Sequence, residues 1–186
     1  MILPDIKPRK SYAKKKTVFM PADFVVLDVE TTGLDPLTDR ITELAAIRYR
    51  NGKRTEALTY LVNPGREIPD AVVSLTGITS EMVKDQPPAE KVLPLFLSFL
   101  GKDTLVGHNI DFDLRFITAA ACRAKLKPPR NFTVDTLAIT RQRYPDLPHH
   151  RLEDLARQLR ISQPESHRAL ADCETTAACY LQLRRA

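Results

Sequence analysis

The stretch that decides the fold is Asp23-Phe-Val-Val-Leu-Asp-Val-Glu-Thr-Thr-Gly-Leu34. Residues 23–29 are largely β-branched and apolar, which is typical of a buried central strand. Asp28 and Glu30 stand at the C-terminal end of this strand, and a turn follows over residues 32–36. Because residues i and i+2 of a strand point to the same face, the sequence predicts two neighbouring carboxylates at the end of an apolar strand.

The residues beyond this strand predict further strands first, and then strands that alternate with helices. Residues 41–50 and 55–63 are predicted to form two strands joined by a hairpin at Asn51-Gly52. The later predicted elements are helical turns near 74–83, helices near 88–100, 109–125, 152–159 and 168–184, short strands at 103–107 and 132–134, and a helix capped by Asp135. This order predicts one α/β domain with a mixed sheet over residues 21–186.

The positive charge of the chain is concentrated at its N-terminus. The formal net charge is +5, and residues 1–16 carry six basic residues against Asp5 alone. We therefore predict a flexible basic arm over residues 1–20. Such an arm either gathers nucleic-acid phosphates in a salt-dependent way or is a solvated extension without a specific role.

Composition also excludes several classes of protein. The longest apolar run, residues 92–100, is far shorter than the ~18 residues of a membrane helix and contains Pro94. The lysine-rich N-terminus does not resemble a secretory signal. The three cysteines are odd in number and form no CxxC pair, which indicates a reduced, cytoplasmic setting. We expect no membrane partner.

Paired acids at a strand end suit the hydrolysis of a phosphodiester. Two divalent ions about 4 Å apart can activate the attacking water and stabilise the leaving oxygen. Magnesium prefers oxygen ligands, so a few carboxylates suffice to hold it. Asp28 and Glu30 would repel each other unless a cation lay between them. We interpret them as metal ligands; the plainer alternative is that the strand ends at Leu27 and both acids are solvated.

Two later segments add an acid each and one histidine. Asp113 falls in the first turn of a predicted helix, where a simple helix-terminus acid is the alternative. His167 and Asp172 are five residues apart and would diverge within one helix, so we place His167 just before it, on a mobile segment after Pro164. Histidine changes charge near neutral pH and suits the removal of a proton from water; a surface histidine is the alternative.

Together these segments resemble the motifs of the DEDDh group of 3′→5′ exonucleases, particularly the proofreading-subunit (DnaQ-like) type. The motifs are Asp28-Val-Glu-Thr-Thr-Gly-Leu34, His108-Asn-Ile-Asp-Phe-Asp113 and His167-Arg-Ala-Leu-Ala-Asp172, in this order. The resemblance covers about residues 23–184. It implies a ribonuclease H-like α/β fold, with a five-stranded mixed sheet flanked by helices.

The resemblance also implies a role for each motif residue. Two divalent ions, Mg²⁺ or Mn²⁺, would be held by Asp28, Glu30, Asp113 and Asp172, with Asp28 shared between them. His167 would be the general base. Residues matching Thr31 and Leu34 contact the terminal nucleotide in the family, the leucine as an apolar wedge beside the last base. Asn109 matches a substrate-binding asparagine, although a helix N-cap explains it equally well.

Neighbouring residues have plainer interpretations. We expect His108 to be a structural histidine at a strand end and Phe112 to be a core residue. For Glu43 a buried pair is the plainer interpretation, and support of the site is the alternative. The run over residues 93–96 faintly resembles a clamp-binding peptide, but its helical setting favours core packing.

Three functions remain open at this stage. The Thr-Thr-Gly-Leu sequence of the first motif is most similar to the proofreading type, which favours the 3′ end of DNA as the nucleic acid substrate. Trimming of RNA 3′ ends is the nearest alternative. An alternative of another class is a non-catalytic module that tethers a polymerase or clamp partner through the basic arm. Because the chain ends at Ala186, soon after the last predicted helix, we do not expect a stable role as a replicase subunit.

Overall fold

The computed structural model describes residues 19–163 and 167–185. Its elements are β1 (Phe24–Thr31), β2 (Ile41–Arg50), β3 (Lys53–Leu61), α1 (Asp70–Thr76), α2 (Ser80–Val83), α3 (Ala89–Leu100), β4 (Leu105–Gly107), α4 (Ile110–Arg123), β5 (Thr133–Asp135), α5 (Thr136–Arg143), α6 (Leu152–Gln158) and α7 (Ala169–Arg185). Among the described residues, no helix has the length and apolar character needed to cross a bilayer.

The five strands form one mixed sheet in the order β3-β2-β1-β4-β5. The first three strands are antiparallel neighbours, whereas β4 lies parallel to β1 and β5 lies parallel to β4. Strand β1 is therefore central, and its first four residues are fully buried because both faces of the sheet are covered. The predicted α/β class and the five-stranded mixed sheet are confirmed.

Alternation along β1 divides the core into two layers. Phe24 and Val26 face a cluster with residues of α5, α6 and α7, whereas Val25, Leu27 and Val29 face a cluster with residues of α3 and α4. Continuing the alternation places the next even-numbered side chains on the α7 side of the sheet. The two acids of β1 therefore emerge toward α7.

Two element boundaries differ from the prediction. Strand β3 begins at Lys53 because Asn51 and Gly52 both adopt left-handed conformations (φ 51° and 72°), and this two-residue turn lets pairing resume at once. The region predicted as short helical turns contains two separate helices. The first begins at Asp70 and ends where Gly77 adopts a φ of 70°.

Helix α3 contains the run that resembles a clamp-binding peptide. Leu93 and Phe96 are both fully buried in the layer beneath β1 and β2. A partner could reach these side chains only if the helix left the core. The core-packing interpretation is therefore correct, and these residues offer no surface for a clamp.

The predicted basic arm lies almost wholly outside the described residues, which begin at Phe19. The first described residues are hydrogen-bonded to α7. The Met20 carbonyl accepts a hydrogen bond from Arg184 Nε at 2.8 Å, and the Pro21 carbonyl accepts one from the Tyr180 hydroxyl at 2.8 Å. These bonds attach the chain to the domain just before β1.

Candidate active site

The two acids of β1 belong to the strand itself. β1 continues to Thr31, so Asp28 pairs with Ala45 and Glu30 with Glu43 on the neighbouring strand. The register shifts by a bulge directly after Glu30. The alternative in which the strand ends before the acids is wrong, and backbone pairing fixes both carboxylates.

Asp113 reaches the same strand from the opposite helical layer. The short strand β4 ends at Gly107, which leaves the β1 backbone beyond Val26 without a partner on that side. Asp113 Oδ1 accepts a hydrogen bond from Val29 N at 3.0 Å and replaces the missing strand. The carboxylate is only 3% exposed, so it is not a solvated acid at a helix end.

Asp172 and His167 meet at the beginning of α7. His167 lies two residues before the helix, as predicted, with a left-handed φ of 60°. Its backbone N donates to Asp172 Oδ2 at 3.0 Å, and Gln163 Nε2 donates to Asp172 Oδ1 at 3.3 Å. The predicted mobile segment after Pro164 falls on residues 164–166, outside the described residues.

The fold brings three of the predicted ligands close together. Asp28, Glu30 and Asp172 each offer a carboxylate oxygen, and these oxygens lie within 4.8 Å of one another. Asp113 is not part of this trio, but its charge adds to the field at Asp28. Oxygen donors at this separation suit a hard divalent cation such as Mg²⁺.

The pKa values of these acids are raised by burial and by their mutual repulsion, because the protein compensates their charges poorly. Burial raises the pKa of Asp28 well above its usual range, and the charges of Asp113, Glu30 and Asp172 raise it further. Burial, followed by the charges of Asp172 and Glu43, raises the pKa of Glu30 to about 8. Burial also raises the pKa of Asp113 and of Asp172. A bound cation would relieve this repulsion.

Glu43 anchors the beginning of α7 to the sheet. It is 3% exposed, and its carboxylate accepts hydrogen bonds from Arg168 Nη2 at 2.9 Å and Arg168 Nε at 3.2 Å. The same carboxylate accepts one from the backbone N of Ala169 at 3.0 Å. The predicted buried pair is therefore present. Its partner residue, Arg168, lies between His167 and Asp172 in the last motif.

An open cleft of about 590 Å³ lies beside the acids. Asp28, Asp172 and His167 line one side of it, and residues 148–153 line another. The ring atom His167 Nε2 is 3.5 Å from Glu153 Oε1 in the first turn of α6. The imidazole therefore faces the same cleft as two of the metal-ligand candidates.

The second motif divides into a structural histidine and an exposed asparagine. His108 contacts the Thr136 hydroxyl through Nδ1 at 3.0 Å and the His150 carbonyl through Nε2 at 2.9 Å, so it holds the cleft wall in place, as expected. Asn109 does stand at the N-cap position of α4, but the predicted capping by its side chain is wrong, because its φ is 67° and the side chain makes no capping bond. Asn109 is exposed and lines the cleft.

The two remaining candidates of the first motif differ in exposure. The Thr31 hydroxyl donates to the Gly33 carbonyl at 2.6 Å, and the side chain is mostly buried. Leu34 is 82% exposed, at the tip of the loop that follows β1. Leu34 follows Glu30 by four residues along the chain.

Sequence reasoning missed two polar residues of the site and underrated a third. Glu153 looks like an ordinary acid in a helical first turn, and Gln163 has no motif around it, so no signal marked either one. Glu43 did carry a signal, because a charged residue in the middle of the apolar strand over residues 41–47 requires a buried partner.

A family model described as "Exonuclease" (RNase_T) matches residues 25–180. The chain belongs to this exonuclease family. The resemblance to DEDD-type 3′→5′ exonucleases is thereby confirmed, and the exonuclease is a phosphodiester hydrolase.

Relatives of this exonuclease include a much longer class of protein. This chain is 38% identical over 167 residues to a DNA polymerase III PolC-type protein of Listeria innocua, and 40% identical over 153 residues to one of Oceanobacillus iheyensis. The matches cover 90% and 82% of this chain. The chain spans only 12% and 11% of the length of these polymerases.

Solved structures support the fold of the exonuclease. An E. coli ExoI–ssDNA complex superposes with a TM-score of 0.80 at 24% identity, covering 88% of this chain and 40% of that one. Exonuclease X in complex with 5′ overhanging duplex DNA gives a TM-score of 0.72 at 28% identity, covering 87% of this chain and 91% of that one. The expected ribonuclease H-like fold is confirmed.

Proposed function

We propose that this exonuclease removes nucleotides one at a time from DNA 3′ ends, with two divalent cations at the acids and a histidine as general base. The observation that carries the proposal is the convergence of Asp28, Glu30 and Asp172 within 4.8 Å, beside His167 in an open cleft. Bound cations would explain why buried carboxylates with raised pKa values lie so close together.

The donor set fits magnesium or manganese. Asp28, Glu30 and Asp172 would hold one ion, and Asp113, whose Oδ1 accepts the Val29 N–H, would support a second ion beside Asp28. When bound, the pair of ions would supply positive charge to the attacked phosphate and favour ionisation of the attacking water. No histidine or thiolate is required as a ligand in this arrangement.

His167 is placed to receive the proton of the attacking water. Its backbone is bonded to Asp172 and its ring lies 3.5 Å from Glu153, so the ring is held at the edge of the acids without joining them. The water oxygen would attack phosphorus as the bond from phosphorus to the 3′ oxygen breaks. The leaving 3′ oxygen takes a proton from solvent and becomes the new 3′-hydroxyl, the nucleoside 5′-monophosphate is released, and His167 returns its proton to solvent.

The preference for DNA rests on the relatives. The PolC-type relatives are named as DNA polymerases, and exonuclease X was solved with duplex DNA. The polymerase context of these relatives supports a role in editing 3′ ends beside a polymerase partner. RNA is the competing substrate, because the contacts that read a 2′-hydroxyl do not follow from the acids.

The test is digestion of 3′ ends of DNA and RNA of the same sequence, with magnesium, with manganese and with chelator. We expect release of nucleoside monophosphates from DNA, no turnover in chelator, and a loss in kcat of roughly 10²-fold or more for His167→Ala. Asp146→Asn, in an exposed position outside the cleft, is the control and should digest normally.

Three outcomes would change the proposal. Faster digestion of RNA would favour the exoribonuclease alternative. Nucleic-acid binding without hydrolysis in any metal would favour the tethering module. Near-normal turnover by His167→Ala would remove the general-base role while leaving the metal site in place.

A further inference from the structure

The loop over residues 32–40, here called the Leu34 loop, is bonded more heavily than a connection between two strands requires. It leads from β1 to β2 and carries the exposed Leu34 at its tip. A single exposed leucine is ordinary on a protein surface. The network that fixes the loop around it is the feature that needs an explanation.

Inside the loop, the Asp39 carboxylate occupies the centre. It accepts hydrogen bonds from Asp35 N at 3.0 Å and from the Thr32 hydroxyl at 3.4 Å. A Cβ at Gly33 would lie 2.4 Å from Asp39 Oδ2, so a larger residue there would displace this carboxylate. At the neck, Thr32 N donates to the Arg40 carbonyl at 2.8 Å. The loop is therefore closed upon itself.

Three arginines then hold the loop from outside its tip. Arg123 Nη1 donates to the Pro36 carbonyl at 3.0 Å, and Arg66 Nη1 donates to the Thr38 carbonyl at 2.9 Å. Arg40 Nη1 donates to the carbonyls of residues 38 and 39 at 2.9 and 2.8 Å. Arg40 belongs to the loop itself, whereas Arg66 and Arg123 come from two other parts of the chain and fix the loop relative to the rest of the domain.

Arg123 links this loop to the acids. It is the last residue of α4, whose first turn carries Asp113. Ten residues of α-helix span about 15 Å, so one rigid element positions an acid at one end and the loop at the other. Arg123 is half-buried, and burial, followed by the charge of Arg40, lowers its pKa. Retaining a guanidinium in this unfavourable place suggests a role beyond surface charge.

We propose that Arg123 and Arg66 are positioning residues that hold Leu34 in place against the 3′-terminal base. This inference rests on the proposed function, since it assumes a nucleic acid 3′ end in the cleft. If the loop were mobile in the free protein, ordering it on the substrate would cost conformational entropy, and the contact of Leu34 with the base would contribute less to binding. The clamp orders the loop in advance, so its effect falls on substrate binding rather than on the chemical step.

The test is a double-mutant cycle measured as kcat and KM on paired and mispaired DNA 3′ ends. We expect Arg123→Met to raise KM on the paired end roughly fivefold to tenfold, with kcat changed by less than about twofold. Leu34→Ala should do the same, and the double variant should be no worse than Leu34→Ala, because Arg123 acts through Leu34. Arg123→Lys, which keeps one donor for the Pro36 carbonyl, should restore most of the affinity.

Controls separate positioning from folding. Arg115→Met makes the same change at an exposed position of the same helix and should leave KM unaltered. If Arg123→Met does not fold, Arg66→Met, at a more exposed donor, takes its place in the cycle. This inference alone would be overturned if the fold-changes in KM of the two single variants multiplied in the double variant, or if Arg123→Met left KM unchanged. An inactive wild-type protein would overturn the proposed function and, with it, the inference.

Discussion

The candidate active site has two halves. The strand half consists of Asp28 and Glu30 on β1, and the helix half consists of His167 and Asp172 at the beginning of α7; different contacts hold each half in place. Asp28 and Glu30 are fixed by ladder pairing with β2, while the other side of β1 is completed by Asp113. Asp172 and His167 have no ladder; they depend on the attachment of α7 to the sheet through Glu43. Glu43 is therefore the polar contact between the two halves, and it acts together with the apolar packing of α7 on β1 and β2.

The two halves also differ in how their charges are compensated. Asp28 is buried among acids, and its pKa is raised by burial and by each of them. Asp172 also has a raised pKa through burial, but hydrogen bonds from His167 and Gln163 act in the opposite direction. The proposed cations would therefore stabilise the strand half more than the helix half.

The largest expected effect comes from neutralising one acid in each half. Asp28→Asn and Asp172→Asn should each lower kcat by roughly 10³-fold, because each removes a ligand oxygen charge. In chelator, Asp28→Asn should raise Tm near neutral pH, since it removes a buried carboxyl that must either bind a proton or carry an uncompensated charge. Asp172→Asn should raise Tm less, because its carboxylate already accepts two hydrogen bonds.

These variants are measured by 3′-end digestion and by thermal unfolding in chelator. Asp146→Asn is again the matched control and should change neither quantity. Equal Tm gains in the two variants would show that the halves are compensated alike, contrary to the comparison.

The anchor between the halves can be broken separately. Glu43→Gln keeps an acceptor for Ala169 N but leaves Arg168 without its buried counter-charge. We expect kcat to fall roughly tenfold to a hundredfold, because the α7 residues shift relative to the strand acids. Manganese should still bind at the strand acids, which calorimetry would measure.

The control for this change is Glu56→Gln, which breaks an exposed pair with Arg48 and should cost little. A loss of kcat by Glu43→Gln no larger than that of the control would show that the anchor does not set the geometry.

The same division explains what could be predicted from the sequence. The strand acids were predictable because Asp28 and Glu30 interrupt an apolar strand, and strand periodicity fixes their common face. The position of His167 followed from helix geometry. The partner of Glu43 and the contact of His167 with Glu153 join residues more than a dozen positions apart, and no local pattern specifies such pairs. The predicted capping by the Asn109 side chain was wrong because composition does not reveal a left-handed backbone.

Stability should depend on pH through the strand half. The pKa of Glu30 is raised from 4.5 to about 8, so the folded protein holds a proton that the unfolded chain has already lost. This contribution to stability is fully present below about pH 4.5 and is lost as the pH rises through about 8. In chelator, Tm should therefore fall between about pH 6 and about pH 8.5.

Divalent metal should reverse this loss, because cations compete with protons for the same oxygens. We expect the gain in Tm on adding manganese to be roughly 5 °C or more near pH 8 and smaller near pH 6. Glu30→Gln should flatten the dependence in chelator. A Tm gain that does not change with pH would contradict the assignment of Glu30 as a ligand.

The smallest expected effect lies outside both halves, in the basic N-terminal residues. Deleting residues 1–16 removes six basic residues and one acid, so the remaining chain is formally neutral. If these residues gather the phosphate backbone, KM should rise about threefold at low salt, kcat should not change, and the dependence of KM on salt should become shallower. Replacing the six basic residues by glutamine in the full-length chain is the matched control for length. Unchanged kinetics at low salt in both proteins would assign substrate capture to the cleft alone, without a contribution from the basic N-terminal residues.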